Sequence, residues 1–217
     1  MREESQRWHR AYKNKRLMAR RASSHGRKLR RLGLFDLPRD VRLLDVACGT
    51  GEALRILHDE GFTHLFGVDA TADEDLAREP WLELRVADAK QIPYDDASFD
   101  VVLCMHSLHH LGGHEGVRGS LREALRVLRP GGKLALLDHF DSPQLRAAFW
   151  GLHKPWLTWP TAGLRAFREQ HEDEWPYLYE YLDAWPALRA MLDDLGCRAI
   201  VDRKGLFFFY WTGAKPI

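Results

Sequence analysis

Leu43-Leu44-Asp45-Val46-Ala47-Cys48-Gly49-Thr50-Gly51 is the stretch that decides how this chain folds. The apolar run from Val41 to Val46 reads as a buried strand. Glu52 to Glu60 then follows with Ala53, Leu54, Ile56 and Leu57 at helical spacing. Between the two, Gly49 and Gly51 carry no Cβ, so the turn can be tight and a ligand can approach bare backbone at a helix N-terminus. Asp45 at the strand end would repel a phosphate at short range and suits a cation such as an amino group. The spacing is not G-x-G-x-x-G, because position 54 is Leu, and not G-x-x-x-x-G-K-[ST]. Taken alone, the stretch also fits an ordinary strand-to-helix turn.

Working outward, His64 to Asp69 is a second short strand, ending eighteen positions beyond Gly51. A carboxylate at that end can accept both hydroxyls of a ribose diol. The alternative is an N-cap, with Asp69 and Thr71 ahead of a short acidic helix around Asp73–Arg78. Leu82 to Val86 supplies a third strand that ends in Ala87-Asp88-Ala89. There a carboxylate can accept from an exocyclic amine while small neighbours leave room for a flat ring; a capping Asp is the other reading. Ile92 to Asp100 leads through an acidic turn into a fourth strand, 99–105. Residues 115–128 form an amphipathic helix, stopped by Arg129-Pro130-Gly131-Gly132, and a fifth strand covers 133–139.

Leu43 to Gly51 resembles the glycine motif of the class I S-adenosylmethionine-dependent methyltransferases. The passages IPYDDASFDVV, from Ile92, and RVLRPGGKLALLD, from Arg126, are similar to that family as well, so that the resemblance spans about residues 40–140. It implies S-adenosyl-L-methionine as cofactor, with Asp69 on the ribose hydroxyls and Asp88 on the adenine amine. The cofactor contacts it implies are Asp45, Ala47, Gly49, Gly51, Asp69, Ala70, Asp88, Ala89 and Cys104. The C-terminal stretch is similar to that of ubiquinone/menaquinone-biosynthesis C-methyltransferases, although the N-terminal signature of that subfamily is not evident.

Strands at 41–47, 64–69, 82–87, 99–105, 133–139, 198–202 and 206–212 alternate with helices until the final pair. The expected architecture is α/β, a Rossmann-like doubly wound seven-stranded sheet with a terminal antiparallel strand and an aromatic helical lid. One domain is expected over 1–217, made of an N-terminal helical arm (1–36), a cofactor-binding core (37–139), a lid (140–182) and a closing helix and hairpin (183–217).

The chain has 217 residues and a formal net charge of +1, so nothing global draws it to nucleic acid or acidic membranes. Arg and Lys nevertheless crowd residues 1–31 against only Glu3 and Glu4. This arm is expected to form two helices broken near Ser23-Ser24-His25-Gly26, packed across the cofactor mouth. Cys48, Cys104 and Cys197 are scattered and odd in number, and read as buried reduced thiols of a cytoplasmic protein. No apolar run approaches the ~20 residues that span a bilayer.

His106-Ser107-Leu108-His109-His110-Leu111 lies just past the fourth strand, where ligands of open α/β sheets bind. His106, and His139 at the end of the fifth strand, are the candidate catalytic bases for an acceptor hydroxyl. His109 and His110 are expected to be packing residues. No metal centre is expected, because His114 and Glu115 find no second ligand pair at a supporting spacing. Aromatic residues between 140 and 182 could enclose a flat or greasy acceptor, or serve as a satellite core or homodimer contact. Glu169 to Glu174 reads as a solvated charge run. The function expected is methyl transfer to a small aromatic or apolar acceptor. The rivals are an RNA or protein methyltransferase using the basic arm, and a non-catalytic cofactor-binding scaffold.

Overall fold

The computed structural model describes residues 24–71, 73–154, 156, 168 and 175–217. Its strands are β1 (Arg42–Val46), β2 (His64–Asp69), β3 (Leu82–Val86), β4 (Phe99–Met105), β5 (Leu128–His139), β6 (Arg198–Lys204) and β7 (Phe208–Ala214). The helices are α1 (residues 24–31), α2 (Glu52–Asp59), α3 (Gly113–Val127), α4 (Pro143–Leu152), α5 (Trp175–Asp183) and α6 (Trp185–Asp194). All strands join one seven-stranded sheet in the order β3-β2-β1-β4-β5-β7-β6. β1 to β5 run parallel, and β7 is antiparallel to both of its neighbours.

Alternation along the central strands divides the core between the two faces of the sheet. Leu43, Val101, Leu103, Ala135 and Leu137 point to the face covered by Leu29 and Leu32, at the end of α1, and by Leu54 and Leu57 of α2. Leu44, Val102, Leu134 and Leu136 point to the face covered by Leu121 and Ala124 of α3, Leu182 of α5 and Leu188 of α6. The chain moves outward from β1 to β3, then restarts at β4 on the other side of β1. The reversal leaves a crevice between the carboxyl ends of β1 and β4, which is where open α/β sheets take their ligands.

Several boundaries differ from expectation. Residues 24–31 are helical, His25-Gly26 included, and whatever precedes Ser24, with the first expected helix, lies outside the described residues. The acidic helix shrinks to a 3-10 turn at Leu76–Arg78, where Asp73 Oδ1 accepts from the Leu76 amide at 2.8 Å. Arg129 to Gly132 does not separate α3 from the fifth strand. β5 begins at Leu128, opposite Phe99, and the register then shifts to Val101 opposite Lys133, with Gly131 at φ +74° in the irregular stretch. The last strand starts two residues late, because the Gly205 amide bonds the Phe208 carbonyl and draws Leu206 and Phe207 into the hairpin turn. Cys104 is buried, but Cys48 and Cys197 are only partly so. The charge run from Glu169 to Glu174 lies outside the described residues.

Phe99, fully buried at the start of β4, packs edge-on against Phe66 and Tyr94 at centroid distances of 5.1 and 4.9 Å. Phe99→Ala should cost about 3–5 kcal/mol of unfolding free energy in urea denaturation. A loss below about 1 kcal/mol would mean that the ring does not anchor this corner of the core.

Candidate active site

The tips of β1, β2 and β3 meet in register, with Val46 opposite Val68 and Asp69 opposite Val86. Backbone bonds extend the pairing past the strands, from the Cys48 amide to the Val68 carbonyl at 3.1 Å and from the Ala87 amide to the Asp69 carbonyl at 2.9 Å. Asp45, Asp69 and Asp88 therefore follow one another along one edge of the crevice. Asp69 Oδ2 accepts from the Gly49 amide at 2.8 Å, and Oδ1 accepts from the Thr71 amide at 3.0 Å and the Thr71 hydroxyl at 3.2 Å. Asp45 is 3% exposed; burial, and then the charge of Asp69, raise its carboxyl well above the usual range. Asp88 is open to solvent, its Oδ1 accepting from the Lys90 amide at 2.8 Å. Ala70 is exposed and Ala89 buried, while the Cys104 side chain packs into the core so that only its backbone stands at the tip of β4.

The glycine turn is built as the sequence implies. Gly49 and Gly51 hold φ +54° and +71°. A Cβ at Gly51 would run into the Leu76 side chain, whereas one at Gly49 would meet open space. Ala47 and His106, at the ends of β1 and β4, also take left-handed backbone, at φ +55° and +57°. That conformation is uncommon outside glycine and gathers at functional turns.

The rings of His106 and His139 lie 6.2 Å apart, with Phe208 at 4.9 Å from the first and 4.5 Å from the second. Burial, reinforced by Lys28, holds His106 well below the ordinary histidine range. Burial lowers His139 to about 4. Both are neutral imidazoles at neutral pH, which makes them hydrogen-bond partners and weak bases. His139 Nδ1 is buried and meets no partner among the described residues.

Two features escaped the sequence reading. His109 is not mere packing: its Nδ1 lies 2.8 and 3.1 Å from the two oxygens of Asp138, which is fully buried. Burial would raise the Asp138 carboxyl, but the charge and hydrogen bond of His109 hold it below the usual carboxylate range. The same carboxylate accepts from the amides of Leu108 and His139, fixing the turn after β4 to the end of β5. The second feature is Lys28 of α1, whose Nζ lies 2.7 Å from His106 Nε2 and 4.2 Å from the Phe208 ring centre. Only the fold could reveal it, since 78 positions separate Lys28 from His106.

His106, Asp138 and His139 bring ligand-type atoms within 4.8 Å of one another, a grouping the sequence spacing did not suggest. A divalent ion there would have to compete with the Lys28 ammonium at His106 and with the donors already on Asp138. A shallow depression of about 490 Å³ lies at the opposite ends of the strands, beside Arg42, His64 and Arg129.

The depressed histidine predicts an acid limb of stability. The unfolded chain takes up a proton at His139 below pH ~6.5, whereas the folded chain does so only near pH 4. Unfolding free energy should therefore fall by up to about 3 kcal/mol across that window on account of this group. The fall should be shallower in His139→Gln, as read by urea titrations at stepped pH. An identical slope in the variant would show that His139 is not held neutral by the fold.

Comparison with known proteins places this site in a family. Residues 44–136 match the family model described as "Methyltransferase domain". The chain is 39% identical over 120 residues to 27-O-demethylrifamycin SV methyltransferase of Amycolatopsis mediterranei, covering 51% of this chain and 43% of that protein. It is 32% identical over 175 residues to demethylmenaquinone methyltransferase of Beutenbergia cavernae, covering 79% and 66% respectively. The chain thus spans about two fifths to two thirds of the length of these relatives. A solved structure of a candidate S-adenosylmethionine-dependent methyltransferase from Methanococcus maripaludis shares the fold, with a TM-score of 0.62 at 16% identity over 89% of this chain and 85% of that one. Through residues 44–136, and with the sheet order and glycine turn described above, the chain belongs to the class I S-adenosylmethionine-dependent methyltransferase family.

Proposed function

We propose that this chain moves a methyl group from S-adenosyl-L-methionine to a small aromatic or apolar acceptor. The observation that carries the reading is the glycine turn, joined by Asp69 to the tip of β2. The residues fit the cofactor. Bare backbone at Gly49 leaves room for close approach, and the buried Asp45 carboxyl suits an ammonium, which would restore its ionised form. Asp69 would take the ribose hydroxyls with its remaining lone pairs, and the solvent-open Asp88 would take the adenine amine.

When bound, S-adenosylmethionine supplies a methyl group already activated by the sulfonium. The part left to this chain is alignment and exclusion of water. Tyr181 of α5 contributes by donating to the His139 carbonyl at 3.1 Å, and Phe149 of α4 lies 5.8 Å from the His139 ring. Both elements border the histidines as a lid would, and their aromatic side chains suit a planar acceptor. The small-molecule reading draws further support from two relatives whose names denote methylation of a rifamycin and of demethylmenaquinone.

Calorimetry with S-adenosylhomocysteine should show saturable binding. Asp69→Ala should weaken it at least about tenfold, because charge-assisted hydrogen bonds each contribute roughly 1.5–3 kcal/mol. No heat of binding at millimolar ligand would contradict the reading, and unchanged affinity in Asp69→Ala would contradict the role of Asp69.

A further inference from the structure

β3 forms one edge of the sheet and β6 the other. An edge strand presents a row of backbone donors and acceptors that a further strand can take. At β3 the Ala87 amide bonds the Asp69 carbonyl, and Asp69 stands opposite Val86. A parallel ladder uses alternate residues, so Glu83 and Arg85, like Ala87, turn their backbone groups to β2. Those of Leu84 and Val86 face outward, with the Leu82 carbonyl, and among the described residues nothing beyond the sheet bonds them. The Leu82 amide is taken by the Glu79 carbonyl at 3.2 Å. On one face of the strand, Val86 is 59% exposed, Leu82 and Leu84 are half-buried, and Leu84 lies over Gly67 beside Leu54 of α2. On the other, Glu83 and Arg85 are exposed and bond each other at 2.9 Å.

Leu82-Glu83-Leu84-Arg85-Val86 is complementary to itself when run antiparallel about Leu84. Leu82 then meets Val86, Leu84 meets Leu84, and Glu83 meets Arg85. The backbone agrees with that register. Leu84 and Val86 are the residues with outward groups to exchange, so Glu83 and Arg85 fall at the positions without mutual hydrogen bonds. There, facing Cα atoms approach to about 4.5 Å and opposite charges come closest. β6 lacks this symmetry. Its pairing with β7 shifts register between Ala199 and Val201, and about Val201 its Arg198 would meet Lys204. A bulge and facing bases are what keep an edge unpaired.

We propose that the β3 edge pairs with the β3 edge of a second copy of this chain, antiparallel about Leu84, and joins the two sheets into one. The Leu84 amide and carbonyl exchange bonds with the second copy's Leu84. The Val86 amide donates to the second copy's Leu82 carbonyl, and the reverse. Val86, otherwise exposed, covers the second copy's Leu82. The Glu83–Arg85 pairs of both copies merge into one row of alternating charge. Backbone bonds hold the contact and the charges set its register, because exposed ion pairs contribute little by themselves. A contact this narrow is at the small end of specific interfaces, so the dimer should dissociate in the micromolar range. The pairing does not depend on the methyl-transfer reading.

The test is sedimentation equilibrium of the full chain from about 1 to about 200 μM, where the wild type should pass from monomer to dimer. Val86→Pro removes an outward amide and no bond to β2, so the fold should survive by circular dichroism while association weakens at least about tenfold. Glu83→Arg and Arg85→Glu each set like charges opposite one another and should each weaken association at least about fivefold. Mixed in equal amounts, these two variants should associate within about threefold of the wild type, because the arginines of one then face the glutamates of the other. A wild type that stays monomeric at about 200 μM would overturn the proposal. So would a dimer indifferent to Val86→Pro or to either charge reversal, or a mixture that associates no better than its components. If Val86→Pro unfolds, the charge variants and their mixture decide.

Discussion

The hydrogen bond from the Gly49 amide to the Asp69 carboxylate, 2.8 Å long, ties the turn after β1 to the tip of β2. The crevice depends on it. Without that tie, among the described residues, the Cys48–Val68 backbone bond is what would hold the Gly49–Gly51 loop against the neighbouring strand. With it, one side chain closes the turn through one oxygen and orders Thr71 through the other. Gly51 could not be replaced without strain, since its backbone is left-handed and Leu76 fills the space where a Cβ would go. The strand order supplies the rest, because the order of the strands reverses between β1 and β4, which is where open α/β sheets take their ligands.

Burial then sorts the titratable groups. At β1 and β2, two carboxyls close together in a dry setting push Asp45 toward its neutral form, and a cationic ligand group relieves that cost. At β4 and β5, dry histidines stay neutral, and the buried Asp138 stays ionised because His109 and two backbone amides surround it. One end of the crevice thus asks for positive charge. At the other, Lys28 Nζ lies against His106 Nε2.

The sequence made the parallel core readable because each of its strands is a short apolar run closed by a distinctive residue, as at Asp45, Asp69 and Asp88. Asp45 and Asp69 fall together because their strands are adjacent and in register. What could not be read depended on long-range contact. His109 looked like packing because its carboxylate partner, Asp138, is 29 positions away on another strand. In the sequence Lys28 is one basic residue among many, and its place beside His106 follows from α1 lying over β7 and the end of β4. The boundary errors have local causes. The Pro-Gly-Gly stretch is absorbed as an irregularity in β5, and the Gly205 turn takes Leu206 and Phe207 out of β7.

The most direct measurement is a crystal structure of the chain grown with S-adenosylhomocysteine. The account predicts the ribose on Asp69, the amino group towards Asp45 and the sulfur facing His106 across the ends of β1 and β4. A ligand seated anywhere else, such as the depression beside Arg42 and Arg129 at the far ends of the strands, would contradict it.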